Sequence, residues 1–146
     1  MNWLVFAIAM LAGTTMAVQG TMNAALGKNV GIWGSTLMVH AVGLLTVIAV
    51  MVFLGEGLPE MKRWMAAPWY VYLGGLLNVL IIYGVVRAMP VIGVGNATTG
   101  IVFAQIMTAV LIDKFGLMGV ERFPFRWLDL AGILLLAAGT RILLKT

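Results

Sequence analysis

Four long stretches without a charged residue constrain this chain more than any other feature. They cover residues 1–27, 29–55, 64–86 and 88–112, and they are 27, 27, 23 and 25 residues long. A helix needs about 20 apolar residues to cross the hydrocarbon core of a bilayer. Backbone groups in lipid must pair within their own segment, which helices allow. The sequence therefore predicts an all-α integral membrane protein.

The composition excludes several other classes of protein. Of the 146 residues, 62% are hydrophobic, and the mean hydropathy is +1.07. A soluble domain of this size cannot hide so much apolar surface. The chain has no cysteine, its nine Lys and Arg are scattered, and the spans hold no nucleophile–base pair. We therefore expect no nucleic-acid partner, no metal, no cofactor and no enzymatic activity.

We predict one transmembrane domain over residues 1–146 with five helices, near 3–27, 31–54, 69–88, 91–112 and 127–144. The fifth helix is the least certain, because it needs Arg141 to extend its side chain towards the interface. The first segment lacks a basic start, so we interpret it as a retained helix and not as a signal peptide. The connections 28–30 and 87–90 are short, which predicts antiparallel neighbouring helices.

The charges in the connections do not decide the orientation. Five cations fall on the N-terminal side and four on the other side (Lys62, Arg63, Lys114, Arg122 and Arg126 against Lys28, Arg87, Arg141 and Lys145). The positive-inside rule needs a clear asymmetry, which this distribution lacks. Either other signals set one orientation, or copies insert both ways.

Two amides stand out in the first helix. Thr15, Gln19 and Asn23 repeat every four residues, about 200° around the helix from a stripe of small residues. We expect the small stripe to pack against a neighbouring helix and the amides to face away from it. Gln19 and Asn23 then either line a cavity or join helices by hydrogen bonds.

Other polar and aromatic residues lie at related depths. In the fourth helix Asn96, Thr98 and Gln105 accompany several glycines, a pattern typical of transport sites but also of close packing. His40 lies about 13 Å from the nearer helix end. It is either a proton-coupling or binding group, or a neutral imidazole that donates to a backbone carbonyl. Trp33 and Tyr83 are candidate walls of a site or interfacial aromatics.

Two stretches resemble the YdcZ-type bacterial membrane proteins. The first is AGTTMAVQGTMNAALGKNVG with the GLL that follows, and the second is PWYVYLGGLL with MPVIGVGNATTGIVFAQIMTAVLIDKFGLMG. The ending RFPFRWLDLAGILLLAAGTRIL is similar too, so the resemblance covers nearly the whole chain. Two residues depart from the family pattern. His40 stands where we expect an aromatic or apolar residue, and Asn78 stands where we expect a small residue.

This resemblance implies membership of the drug/metabolite transporter superfamily. Its longer members have ten helices built from two inverted five-helix repeats, so this chain corresponds to one repeat that dimerisation completes. We expect a multi-pass protein of the bacterial inner membrane that transports a small organic solute, as an exporter, at a site near the bilayer centre. Its partner would be an antiparallel copy or a paralogue of opposite orientation. A small dual-topology channel and a non-transporting membrane subunit are the alternatives.

Overall fold

The computed structural model describes residues 2–57, 65–124 and 126–144, in which all regular structure is helical. This confirms the all-α class. Lys62, Arg63 and Lys145 of the charge count lie outside the described residues. The helices are α1 (Trp3–Leu54), α2 (Leu73–Ile92), α3 (Val94–Phe115) and α4 (Trp127–Leu143), with short 3-10 turns at Trp69–Tyr72 and Leu117–Gly119. Among the described residues, three helical stretches are long and apolar enough to cross a membrane (Trp3–Leu54, Trp69–Ile92 and Val94–Phe115).

The contacts divide the chain into two compact units, Met1–Val91 and Ile92–Thr146. The first unit holds α1 and nearly all of α2, and the second holds α3 and α4. Each unit is described by itself below. The prediction of a single domain stays a prediction.

Helix α1 is broken at Gly31, which has φ 75° and ψ 166°. This backbone conformation is open to glycine and strained for other residues. The Ser35 hydroxyl donates to the carbonyl of Asn23 at 3.0 Å. In a straight helix these residues would lie about 18 Å apart along the axis. The chain therefore folds back at Gly31 into two limbs, residues 3–30 and 32–54.

Both ends of α1 are capped. The Asn2 side chain accepts hydrogen bonds from the backbone N–H groups of Leu4 and Val5. At the other end Gly55 adopts the left-handed conformation, and the N–H of Glu56 donates to the carbonyl of Met51 at 2.9 Å. These bonds satisfy backbone groups that a helix leaves free at its ends.

The first unit packs through small residues of α1 against α2. Ile82, Val86 and Met89 lie on one face of α2 and are about 95% buried. A methyl group added at Gly27 would overlap Cγ1 of Val86, and one added at Gly20 would lie 2.7 Å from Cε of Met89. Glycine at 27 is therefore what lets the two helices approach so closely, whereas at Gly20 the flexible end of Met89 could move aside.

In the second unit, the chain between α3 and α4 supplies hydrogen bonds to the adjoining ends of both helices. Gly116 ends α3 in the left-handed conformation. The Arg122 guanidinium donates to the carbonyl of Phe115, and the N–H of Phe123 donates to the carbonyl of Asp113. At the start of α4 the Asp129 carboxylate accepts from the backbone N–H of Arg126 at 2.8 Å. The C-terminal end of α3 and the N-terminal end of α4 thus have hydrogen-bond partners.

The breaks between helices differ in part from the predicted connections. The turn near residues 28–30 lies at Gly31, and α4 matches the predicted 127–144 within one residue. The connection expected at 87–90 instead lies at Gly93, because α2 continues through Pro90 to Ile92. Pro90 lies inside α2, two residues before its end, where it cannot donate the bond to the carbonyl of Val86 that another residue would make. The helix ends soon afterwards, at Gly93 with φ 83°.

We predict that Gly31→Ala lowers the free energy of unfolding by about 1–3 kcal/mol, because alanine is strained at this φ and ψ. No atom lies within 4 Å of the added methyl, so backbone strain is the only cause. Gly43→Ala is the matched control: it also meets open space, lies inside a limb, and should be neutral or stabilising. Unfolding of both variants in detergent checks this, and equal stability would contradict the turn at Gly31.

Candidate functional site

The residues predicted to form the site fall in both units. The first unit holds five of them (Gln19, Asn23, Trp33, His40 and Tyr83), and the second holds three (Asn96, Thr98 and Gln105). The structure brings some of these together within the first unit and leaves others exposed. The surroundings of each therefore decide what it can do.

His40 is hydrogen-bonded at both ring nitrogens. Its Nδ1 lies 2.8 Å from the carbonyl oxygen of Thr36, and its Nε2 lies 3.0 Å from the amide nitrogen of Asn78. A carbonyl can only accept, so Nδ1 donates to the carbonyl of Thr36. The contact of Nε2 with the Asn78 amide joins the second limb of α1 to α2.

Asn23 lies on the packed side of the first limb, not on a face turned away from its neighbours. Asn23 is only 7% exposed, and its neighbour Ala24 is buried as well. The backbone carbonyl of Asn23 accepts a hydrogen bond from the hydroxyl of the fully buried Ser35. Its side-chain amide makes no hydrogen bond within the described part of the chain. The expectation that the amides face away from the packed side is therefore wrong for Asn23. The reason is that packing follows Gly20 and Gly27, which share its face.

Gln19 does face outwards. Its side chain is exposed near the middle of the first limb, and it makes no hydrogen bond among residues 2–57, 65–124 and 126–144. Most of its neighbours along the limb are exposed apolar side chains, such as Met16, Val18 and Met22. An amide in such surroundings needs a polar partner, because burial in apolar surroundings without one is unfavourable by several kcal/mol.

Trp33 and Tyr83 form an aromatic pair. Their ring centroids lie 5.4 Å apart with planes inclined by 34°. Trp33 is 68% exposed and Tyr83 is 40% exposed, so the pair presents an open ring face. It lies in the same unit as the His40–Asn78 hydrogen bond, and it joins the second limb of α1 to α2.

In the second unit the three polar residues of α3 differ in their surroundings. Asn96 and Thr98 are half-buried, whereas Gln105 is exposed. The hydroxyl oxygen of Thr98 is fully buried and has no hydrogen-bond partner in the described structure. Leaving such a hydroxyl unpaired costs about 1–3 kcal/mol, so this position favours a polar partner. Thr98 and Gln105 are seven residues apart and share a helix face.

A cleft of about 730 Å³ lies between α3 and α4. Its walls are apolar (Ile106, Val110, Ile133 and Leu136), and one end carries Asp113, Lys114, Arg126 and Asp129. Arg126 and Asp129 form an ion pair at 3.1 Å. None of the predicted site residues lines this cleft. Among the described residues no group of three His, Cys, Asp or Glu is placed to hold a metal.

Sequence reasoning missed two residues that organise the first unit. Ser35 joins the two limbs, and Asn78 holds the His40 ring. Ser35 and Asn23 are placed symmetrically about residue 29, so the antiparallel turn predicted at 28–30 is the signal that could have indicated the contact. His40 and Asn78 both depart from the family pattern, and two such departures at matching depth are a signal for a pair.

Comparison with protein families assigns nearly the whole chain to a family. The model of the family described as "Putative inner membrane exporter, YdcZ" matches residues 4–142, which is nearly the whole chain. Comparisons with curated proteins and with solved structures give no match. The family agrees with the apolar helices described above, and its exporters are transporters and not enzymes. This chain belongs to the YdcZ family of inner-membrane exporters.

Proposed function

We propose that the protein is a secondary exporter of a small organic solute that works as an antiparallel homodimer with a site near the bilayer centre. Membership of the YdcZ family supports export across the inner membrane, without naming a solute. The candidate solute ligands of the first unit are Gln19 and Asn23, and those of the second unit are Asn96, Thr98 and Gln105. Rocking of the two inverted copies gives alternating access.

Five crossings of the bacterial inner membrane are part of this proposal. The limbs 3–30 and 32–54 would be about 42 and 35 Å long, which is enough for one crossing each. Helices α2 and α3 are long enough as well. Helix α4 has 17 residues and spans about 26 Å, slightly less than the hydrocarbon core. Arg126 and Arg141 at its two ends would extend to the headgroups.

A chain of five crossings needs a second chain to supply an inverted repeat. In a tandem duplication the odd number of crossings would invert the second repeat automatically, whereas a separate copy must insert the other way. The near-balanced cations in the connections are compatible with both insertions. The large apolar side chains exposed along every helix support burial against lipid and a partner chain.

The observation that carries the transport proposal is the unpartnered amide of Gln19. An exposed amide in the middle of an apolar limb requires a polar group from the solute or from the partner copy. In the second unit the unpaired hydroxyl of Thr98 and the exposed amide of Gln105 also favour a polar partner from the solute or from the second copy. The Trp33–Tyr83 pair offers a flat apolar wall, which suits an organic solute.

We predict that Gln19→Ala weakens solute binding about tenfold, because one hydrogen bond is worth about 1 kcal/mol or somewhat more. A thermal-stabilisation screen of the purified protein identifies the solute, and flux into proteoliposomes measures its transport. Asn29→Ala is the matched control, because the Asn29 amide is on the same limb but bonds locally to the carbonyl of Ala25.

The Gln19 proposal fails if the folded Gln19→Ala variant binds and transports as the unmodified protein does. It also fails if Gln19→Ala separates the dimer while the monomer keeps its affinity for the solute, because the amide would then only join helices. Flux that rises without saturation, carried as ion current, would instead indicate a channel.

In this proposal His40 is a binding group whose ring is positioned by Asn78. We predict a coupling free energy of about 0.5–1.5 kcal/mol between His40 and Asn78 in a double-mutant cycle with His40→Leu and Asn78→Leu. Unfolding in detergent provides the measurement. The control cycle pairs Asn78→Leu with Thr46→Val, because Thr46 bonds only to the carbonyl of Val42 in its own turn. Additive effects of His40 and Asn78 would contradict the hydrogen bond.

A further inference from the structure

A small cavity of about 130 Å³ lies where the turn of α1 meets the end of α2. Lys28 of the first limb and Arg87 of α2 both line it, although they are far apart in the sequence. Much of the remaining lining is apolar, from Ala24, Ile32 and Val86. Two cations thus share one small concave surface in the first unit.

No described carboxylate neutralises these two cations. In the described part of the first unit the one acidic residue is Glu56, which follows the far end of the second limb. That limb places Glu56 about 37 Å from Gly31 along its axis. Neither Lys28 nor Arg87 forms an ion pair with a described residue of the chain. Because like charges repel in a partly apolar cavity, the pair favours an anionic ligand.

The cavity has the size and the local field for a single phosphate group. Its volume corresponds to about four water molecules at liquid density. Helix ends of both signs meet here, because the second limb begins beside the cavity while the first limb and α2 end beside it. The positive field at the cavity therefore comes from the two cations and not from the helix dipoles. Arg87 can bind two phosphate oxygens at once, and Lys28 adds a compact charge.

The sequence gives this end of the first unit an excess of positive charge. All five acidic residues lie in two segments, residues 56–60 and 113–129, which follow the second limb and α3. With five crossings, both segments are on the other side of the membrane from Lys28 and Arg87. The cavity side then carries cations alone, which attract anionic headgroups.

We propose that the cavity between Lys28 and Arg87 binds the phosphate of an anionic phospholipid headgroup. The ligand is a lipid and not a free ion, because the cavity is at the helix ends of a membrane protein and its remaining lining is largely apolar. The proposal depends on the membrane placement of α1 and α2, not on transport.

Titration of the purified full-length protein with phosphatidylglycerol in a phosphatidylcholine background tests this proposal, with native mass spectrometry counting bound lipid. We expect Lys28→Gln with Arg87→Gln to weaken phosphatidylglycerol binding about thirtyfold, about fivefold for each cation. Arg141→Gln is the matched control, because it removes one exposed cation that does not line the cavity. The exchange Lys28→Arg with Arg87→Lys keeps both charges and should retain binding.

Three results would overturn the proposal. In the first, Arg141→Gln weakens phosphatidylglycerol binding as much as Arg87→Gln alone, which would indicate a diffuse surface effect. In the second, inorganic phosphate or glycerol 1-phosphate competes as well as the lipid, which would indicate a site for a soluble anion. In the third, the double glutamine variant, folded as judged by circular dichroism, binds the lipid unchanged. Because the measurement is lipid binding and not flux, its failure leaves the exporter proposal standing.

Discussion

The structure depends on the high free energy of an unpaired polar group in hydrocarbon. This constraint requires helices, because a helix pairs its backbone groups internally. It explains why the threonines and the imidazole of α1 bond to carbonyls of the preceding turn, as Thr15, Thr36 and His40 do. The same constraint makes the few groups without a partner informative, since they identify where the chain needs another molecule.

The first unit satisfies most of its polar groups by its own folding. The break at Gly31 brings the Ser35 hydroxyl to the carbonyl of Asn23, and α2 brings Asn78 to the imidazole of His40. Glycine at 27 allows this close approach. Gln19 stays exposed outside this network. A unit that is ordered around one exposed amide can present that amide to a solute in a fixed position.

The sequence predicted helix lengths well and side-chain surroundings poorly, for a physical reason. Uncharged length reflects the thickness of the hydrocarbon core, so the predicted turn at 28–30 lies close to the break at Gly31. The predicted connection at 87–90 lies too early, because proline is typical of a helix start, whereas here Pro90 lies inside α2 and the break follows at Gly93. The burial of Asn23 was missed because a helix that is apolar on all sides carries no periodic signal for its packed face. The His40–Asn78 bond depends on tertiary structure, which spacing along the chain does not contain.

The central claim is that five crossings leave the chain as half of a transporter that an inverted copy completes. The chain has no cysteine, so a single cysteine added after Thr146 reports the location of the C-terminus. A membrane-impermeant maleimide applied to intact cells, and separately to inside-out vesicles, measures its exposure on each side. We predict comparable labelling from both sides. Labelling from one side alone would contradict the antiparallel homodimer.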